Sequence, residues 1–163
     1  MAVDLIALSP DHASDVAAGD RGLYGGAANA AKVEPLVRNI AAAQAHLYDR
    51  TGATAPWIGY LARDPASNML VGTCSFVGPP KDGEVEIAYF TFPGAEGRGW
   101  AQGMAAALTA MAFDAPEIDR VIAHTLQQEG ASTRILRGLG YELVGDVIDP
   151  DEGPVWRWAL GRA

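Results

Sequence analysis

The hydrophobic period of the chain changes near residue 56, and that change limits the folds open to it. Before this point Val33, Leu36, Val37, Ile40, Ala43, Leu47 and Tyr48 recur at helical spacing, and Gly52 follows as a stop. Beyond it the apolar residues alternate in three runs, Trp57 to Ala62, Leu70 to Val77 and Glu84 to Phe92. The links between these runs, Asp64-Pro-Ala-Ser-Asn68 and Gly78-Pro-Pro-Lys-Asp-Gly83, have hairpin length, so the runs form an antiparallel meander. Upstream, Val3 to Leu8 reads as a strand, Ser9-Pro10-Asp11 as a helix start, and Gly25 to Ala30 as a loop within the domain.

A strand, helix, strand unit follows the meander. A helix is expected from Gly99 to Phe113, stopped by Pro116, then a strand from Arg120 to Leu126 and a helix from Ala131 to Leu139 ended by Gly140. Strands from Tyr141 to Ile148 and Val155 to Leu160 close the chain. The expected class is α+β, in one domain over residues 1–163, since 163 residues with 49% hydrophobic content suit a single core.

Charge and cysteine usage exclude several functions. The net charge is −8 and the only lysines are Lys32 and Lys81, which argues against a nucleic-acid groove and against a basic membrane-surface helix. Cys74 is the sole cysteine, so there is neither an internal disulfide nor a cysteine-rich zinc site, and its strand face, shared with Leu70 and Phe76, makes it a core residue. His12 and His46 have no partner at metal spacing, and no metal is expected. The N-terminus has no basic flank, and no apolar run approaches the roughly 20 residues of a membrane span. A cytoplasmic protein, monomeric or homodimeric, is expected.

The chemistry is concentrated where the third strand feeds a glycine-rich turn. Gly97-Arg98-Gly99 opens a helix with no Ser, Thr, Asp or Asn to cap it, so the first backbone N–H groups stay free for an outside anion. Glycines allow close approach, the helix dipole favours negative charge, and Arg98 adds a cation, a combination suited to a pyrophosphate. A tight structural turn is the plainer alternative. A dinucleotide-binding oxidoreductase ranks last, because the glycines follow an antiparallel meander rather than opening a parallel unit.

This stretch resembles the acetyl-CoA-binding motif of the GNAT N-acetyltransferase superfamily, Gln/Arg-x-x-Gly-x-Gly/Ala, with Glu96, Gly99 and Ala101 at its named positions and Pro93 before it. The segment from Ala123 to Glu142 is similar to the family's second signature through Ser132 and Leu139-Gly140-Tyr141, and the branch most resembled is that of the ribosomal-protein N-terminal acetyltransferases. The resemblance implies a mostly antiparallel sheet of six to seven strands, splayed at the cofactor and flanked by about four helices. It implies acetyl-CoA as co-substrate, with pantetheine against main-chain groups of Tyr89, Phe90 and Thr91 and the pyrophosphate on Gly97, Arg98, Gly99, Trp100, Ala101 and Gln102. Transfer would occur by direct attack of a primary amine, a peptide N-terminus or a small amine, on the thioester.

Three residues depart from the family pattern. Glu96 replaces Gln or Arg near the phosphates, Glu129 stands where an Asn commonly helps hold the cofactor, and Leu136 stands where many members carry a Tyr that protonates the leaving thiolate. They favour the alternative of a degenerate domain that binds CoA or a protein partner without turnover. Two residues compete as general base. By the resemblance Glu86 occupies the place of a catalytic glutamate acting through water, although Glu84 and Glu86 also read as alternate polar residues on one strand face; His124 on the next strand is the rival. Ser132 serves as weak proton donor to the thiolate or as a helix cap. Trp100 packs in the core or at the cofactor edge, and Met104, Leu108 and Met111 form the buried stripe of their helix. Asp149, Asp151 and Glu152 lie in the last hairpin, where they either attract a cationic acceptor or simply face water.

Overall fold

Helical and alternating segments take up the places the periodicity assigns them, with boundaries displaced by a few residues. The computed structural model describes residues 2–163. In chain order these contain β1 (Asp4–Leu8), α1 (Pro10–Ala17), α2 (Ala30–Thr51), β2 (Gly59–Asp64), β3 (Met69–Phe76), β4 (Glu84–Thr91), α3 (Trp100–Asp114), β5 (Arg120–Thr125), α4 (Ala131–Gly138), β6 (Glu142–Asp149) and β7 (Gly153–Gly161). Pro10 opens α1, where its missing N–H costs nothing. Gly52 closes α2 at φ 67°, a left-handed conformation, and donates its N–H to the Tyr48 carbonyl at 2.7 Å.

The seven strands form one open sheet in the order β1-β2-β3-β4-β5-β7-β6. Every pairing is antiparallel except β4 with β5. A parallel pair needs a crossover, and α3 supplies it. The last strand in sequence, β7, inserts between β5 and β6, so it lies beside β5 and leaves β6 as an edge.

Helices cover both faces. On one, the Gln44 side chain of α2 sits where a Cβ at Gly59 would be, and Ser75 points toward it. On the other, a Cβ at Gly72 would lie 2.7 Å from Met104 Cε and 2.6 Å from the Phe90 carbonyl oxygen, so the missing side chain lets α3 seat against β3 and β4. Met104 and Leu108 are fully buried in that contact and Met111 is half-buried. Cys74 lies in the same core, and burial pushes its thiol up to about 12, which makes it a packing residue rather than a nucleophile. Among the described residues no helix is long and apolar enough to cross a membrane, and no three His, Cys, Asp or Glu gather to hold a metal.

Tyr48 ties the α2 layer to the sheet. Its buried hydroxyl donates to the Leu8 carbonyl at 2.6 Å and accepts from the Gly59 N–H at 2.8 Å, so one oxygen satisfies the end of β1 and the start of β2. Tyr48→Phe leaves both groups without that partner, and urea denaturation should show a loss of about 1–3 kcal/mol at unchanged m. A variant as stable as the parent would contradict this assignment.

Candidate active site

The parallel ladder between β4 and β5 is short. Register runs Glu84↔Arg120, Val85↔Val121, Glu86↔Ile122 and Ile87↔Ala123 and then stops, although both strands continue. Past that point they diverge around a cleft of about 600 Å3, lined on one side by Ala88 and Tyr89, on the other by His124, Thr125 and Leu126, and at its floor by Ser132 and Thr133 of α4.

Strand alternation decides which main-chain groups face this cleft. Val77 donates to the Glu86 carbonyl and Phe92 to the Val71 carbonyl, each at 2.9 Å, so residues 86, 88, 90 and 92 direct their main chain at β3. Tyr89 and Thr91 therefore turn N–H and C=O toward the β5 side, where Tyr89 borders the cleft. Phe90 does not: its amide belongs to the β3 side, which corrects the sequence expectation that all three offer main-chain groups there.

The glycine turn stands at the N-terminus of α3. Gly97 and Gly99 have φ of 77° and 87°, conformations that L side chains adopt only with strain, and no side chain caps the helix. The first helical bond there is from Gly103 N–H to the Gly99 carbonyl, so the N–H groups of Trp100, Ala101 and Gln102 precede the ladder and stay available. Glu96 bends back on its own turn, its Oε1 accepting from Gly94 N–H at 2.5 Å. Arg98 borders a small cavity of about 110 Å3 that it shares with Lys32 and Trp100. Trp100 is buried and packs in the core.

At the fork, the two rival bases touch. His124 Nδ1 lies 2.9 Å from Glu86 Oε2, with the two side chains 13% and 26% exposed, so the imidazole is enclosed while the carboxylate keeps access to solvent. The other ring nitrogen is taken as well: Arg157, opposite His124 in the β5–β7 register, donates from Nε to His124 Nε2 at 3.2 Å. Glu86 lines both the cleft and an adjoining groove of about 490 Å3 bordered by Lys81, Asp82, Glu84 and Arg120. Glu84 is bound to Arg120 Nε at 2.9 Å, so the two glutamates of β4 have different surroundings.

Deeper in the cleft, burial raises the Tyr89 hydroxyl above its usual range, and a hydrogen bond with Ser132 opposes that shift. Leu136, by contrast, is fully buried in the core and takes no part. Asp149, Asp151 and Glu152 line the same cleft. Backbone N–H groups of Glu152 and Asp151 hold the Asp149 carboxyl below the usual carboxylate range.

Glu129 departs from its expected role. Its Oε2 accepts from Thr133 at 2.9 Å and Arg137 at 2.5 Å, which keeps its carboxyl below the usual range and pins the loop before α4; it does not line the cleft. Sequence reading also passed over Arg157 and the Tyr89 hydroxyl. Alternation on the last strand puts Arg157 on one face with Val155 and Ala159, but only the insertion of β7 beside β5 brings it to His124.

The family model of the GNAT acetyltransferase domain matches residues 4–142. No protein of curated function matches the sequence. Among solved structures the chain is similar to RimL, a ribosomal-protein alpha-N-acetyltransferase in complex with coenzyme A, at 15% identity and TM-score 0.65 over 99% of this chain and 94% of that one. It is similar also to an acetyltransferase from Salmonella typhimurium that modifies the N-terminal serine of a 50S ribosomal subunit protein, at 16% identity and TM-score 0.65 over 100% and 96%. A chimera of the spermidine N-acetyltransferase SpeG from Vibrio cholerae matches at 13% identity and TM-score 0.65 over 99% and 96%. With the forked sheet, the uncapped glycine turn and a family match over most of its length, the chain belongs to the GNAT acetyltransferase family.

Proposed function

We propose that the protein transfers the acetyl group of acetyl-CoA to a primary amine by direct attack in a ternary complex. The observation that carries this reading is the end of the β4–β5 ladder at Ile87 and Ala123, which leaves strand main chain unpaired beside a cleft that reaches Glu86, on the strand that runs into the glycine turn. Pantetheine pairs with the main chain of Tyr89 and Thr91. The pyrophosphate takes the N–H groups at the start of α3 together with Arg98, where the helix dipole favours it.

Glu86 is the proton acceptor in this mechanism. It takes a proton from the ammonium through water, the free amine attacks the thioester carbonyl, the N–C bond forms and the C–S bond breaks. The thiolate leaves with a proton from the Tyr89–Ser132 pair, and the second proton that the amine nitrogen releases as the amide forms restores that pair through solvent. His124 does not compete for the proton, since Arg157 and Glu86 occupy its two nitrogens. The acidic hairpin supports a cationic acceptor, because three carboxylates border the space the amine must enter. The named activities of the similar structures, on a protein N-terminus and on spermidine, both involve such amines.

Acetyl-CoA at a hundredfold excess over its dissociation constant should stabilise the native protein by about 2.7 kcal/mol, raising Tm by about 5–10 °C, while NAD should leave it unchanged. Release of free CoA thiol should then follow added amine. Glu86→Gln should lower kcat/KM for the acceptor by about 100- to 10,000-fold near neutral pH and by less at high pH, where the amine is already deprotonated. A shift with NAD, or turnover unchanged by Glu86→Gln, would overturn the reading; a shift without thiol release would leave a binding domain only.

The acidic hairpin has its own test. Replacing Asp149, Asp151 and Glu152 together by their amides should raise the acceptor KM several-fold, leave the acetyl-CoA constant alone and flatten the salt dependence of kcat/KM. An unchanged KM and salt response would remove the hairpin from acceptor binding.

A further inference from the structure

His124 stands between a carboxylate and a guanidinium, each in hydrogen-bond contact with one ring nitrogen. A guanidinium only donates, so Nε2 must present its lone pair to Arg157. The single ring proton then resides on Nδ1 and is donated to Glu86 Oε2. The ring is neutral in this arrangement, because the position where a second proton would bind already receives the Arg157 N–H. Three strands build the relay: β4 carries Glu86, β5 carries His124 and β7 carries Arg157.

The other charged groups near the ring pull the opposite way. Glu86 faces it from β4, and Asp149 at the end of β6 lines the same cleft as the ring, with Asp151 and Glu152 of the adjoining turn. All four favour an imidazolium; Arg157 from β7 is the one cation in contact with the ring that opposes them. Were His124 protonated, Glu86 would be held in an ion pair and would lose basicity at the atom that has to accept the proton.

We propose that Arg157 is a positioning residue that fixes the tautomer of His124 and thereby keeps Glu86 as the proton acceptor. The relay orients the carboxylate through one oxygen, Oε2. This inference rests on the reading of Glu86 given above, and its first measurement is independent of turnover.

Nitrogen-15 NMR of histidine-labelled protein at pH 8, with His124→Asn used to assign the signals, should show the His124 proton on Nδ1 and an unprotonated Nε2. A proton on Nε2 would overturn the proposal whether or not any variant folds. Arg157→Met frees Nε2 to take a proton in acid. The ratio of acceptor kcat/KM at pH 8 to that at pH 6 should therefore rise at least fivefold above the wild-type ratio, with the acetyl-CoA constant unchanged. The titration of the amine itself cancels in this comparison, since both proteins use the same substrate. Arg157→Lys, which keeps a cationic donor, should move the ratio back toward wild type. Equal ratios in wild type and Arg157→Met would overturn the positioning role, and so would a uniform loss at both pH values, the mark of a merely structural residue. If the tautomer is as stated and the wild-type protein makes no product, the acetyl-transfer reading fails while the geometric part of the inference stands.

Discussion

The site depends on the place where two parallel strands stop pairing. Backbone N–H and C=O groups inside a sheet need partners, and a strand that diverges from its neighbour leaves a row of them facing a gap. Here β4 keeps β3 on one side through residues 86, 88, 90 and 92 and loses β5 on the other after Ile87. The gap is held open by rigid elements, since Val85 and Ile87 remain in the core and α3 and α4 meet on the same side of the sheet. The same constraint explains α3: the parallel pair needs a crossover, and the crossover helix starts just past the end of β4, with its free N–H groups there.

Charge is distributed with the same economy on a chain that carries −8 overall. The acidic residues of the β6–β7 hairpin stand at the cleft, whereas Arg98 and Lys32 border the glycine turn. In the proposed reaction the anionic end of acetyl-CoA and a cationic acceptor would thus meet fields of opposite sign. Glu96, which replaces the family's Gln or Arg, is tied to Gly94, and Glu129 is tied to Arg137 and Thr133. The departures from the family pattern at these positions are local clamps. Leu136 carries no hydroxyl, and in the proposed reaction that part falls to Tyr89, which is half-buried and lines the cleft with Ser132.

Local signals were readable in the sequence and lateral ones were not. The period change, Gly52 and the Gly97-Arg98-Gly99 turn gave the elements and the uncapped start of α3, because each is decided by residues close in sequence. The order of the last two strands is a tertiary choice, and with it went Arg157, which register across β5 and β7 brings opposite His124. Phe90 was misjudged for a subtler reason: the direction of an amide alternates along a strand, and which parity faces β3 is known only once the Val77–Glu86 bond is seen. Treating Glu86 and His124 as rivals followed from the same blindness, since nothing in a one-dimensional reading shows that they are hydrogen-bonded to each other.

Amide hydrogen exchange along β4 tests the central claim most directly. In the free protein the N–H groups of Tyr89 and Thr91, which face the β5 side, should exchange quickly while that of Phe90, paired with β3, is protected. Saturation with acetyl-CoA should slow Tyr89 and Thr91 by at least tenfold and leave Phe90 nearly unchanged, because the cofactor takes the place of the missing strand. If Tyr89 and Thr91 exchange at the same rate with and without saturating acetyl-CoA, the fork is not the cofactor site and the account is wrong.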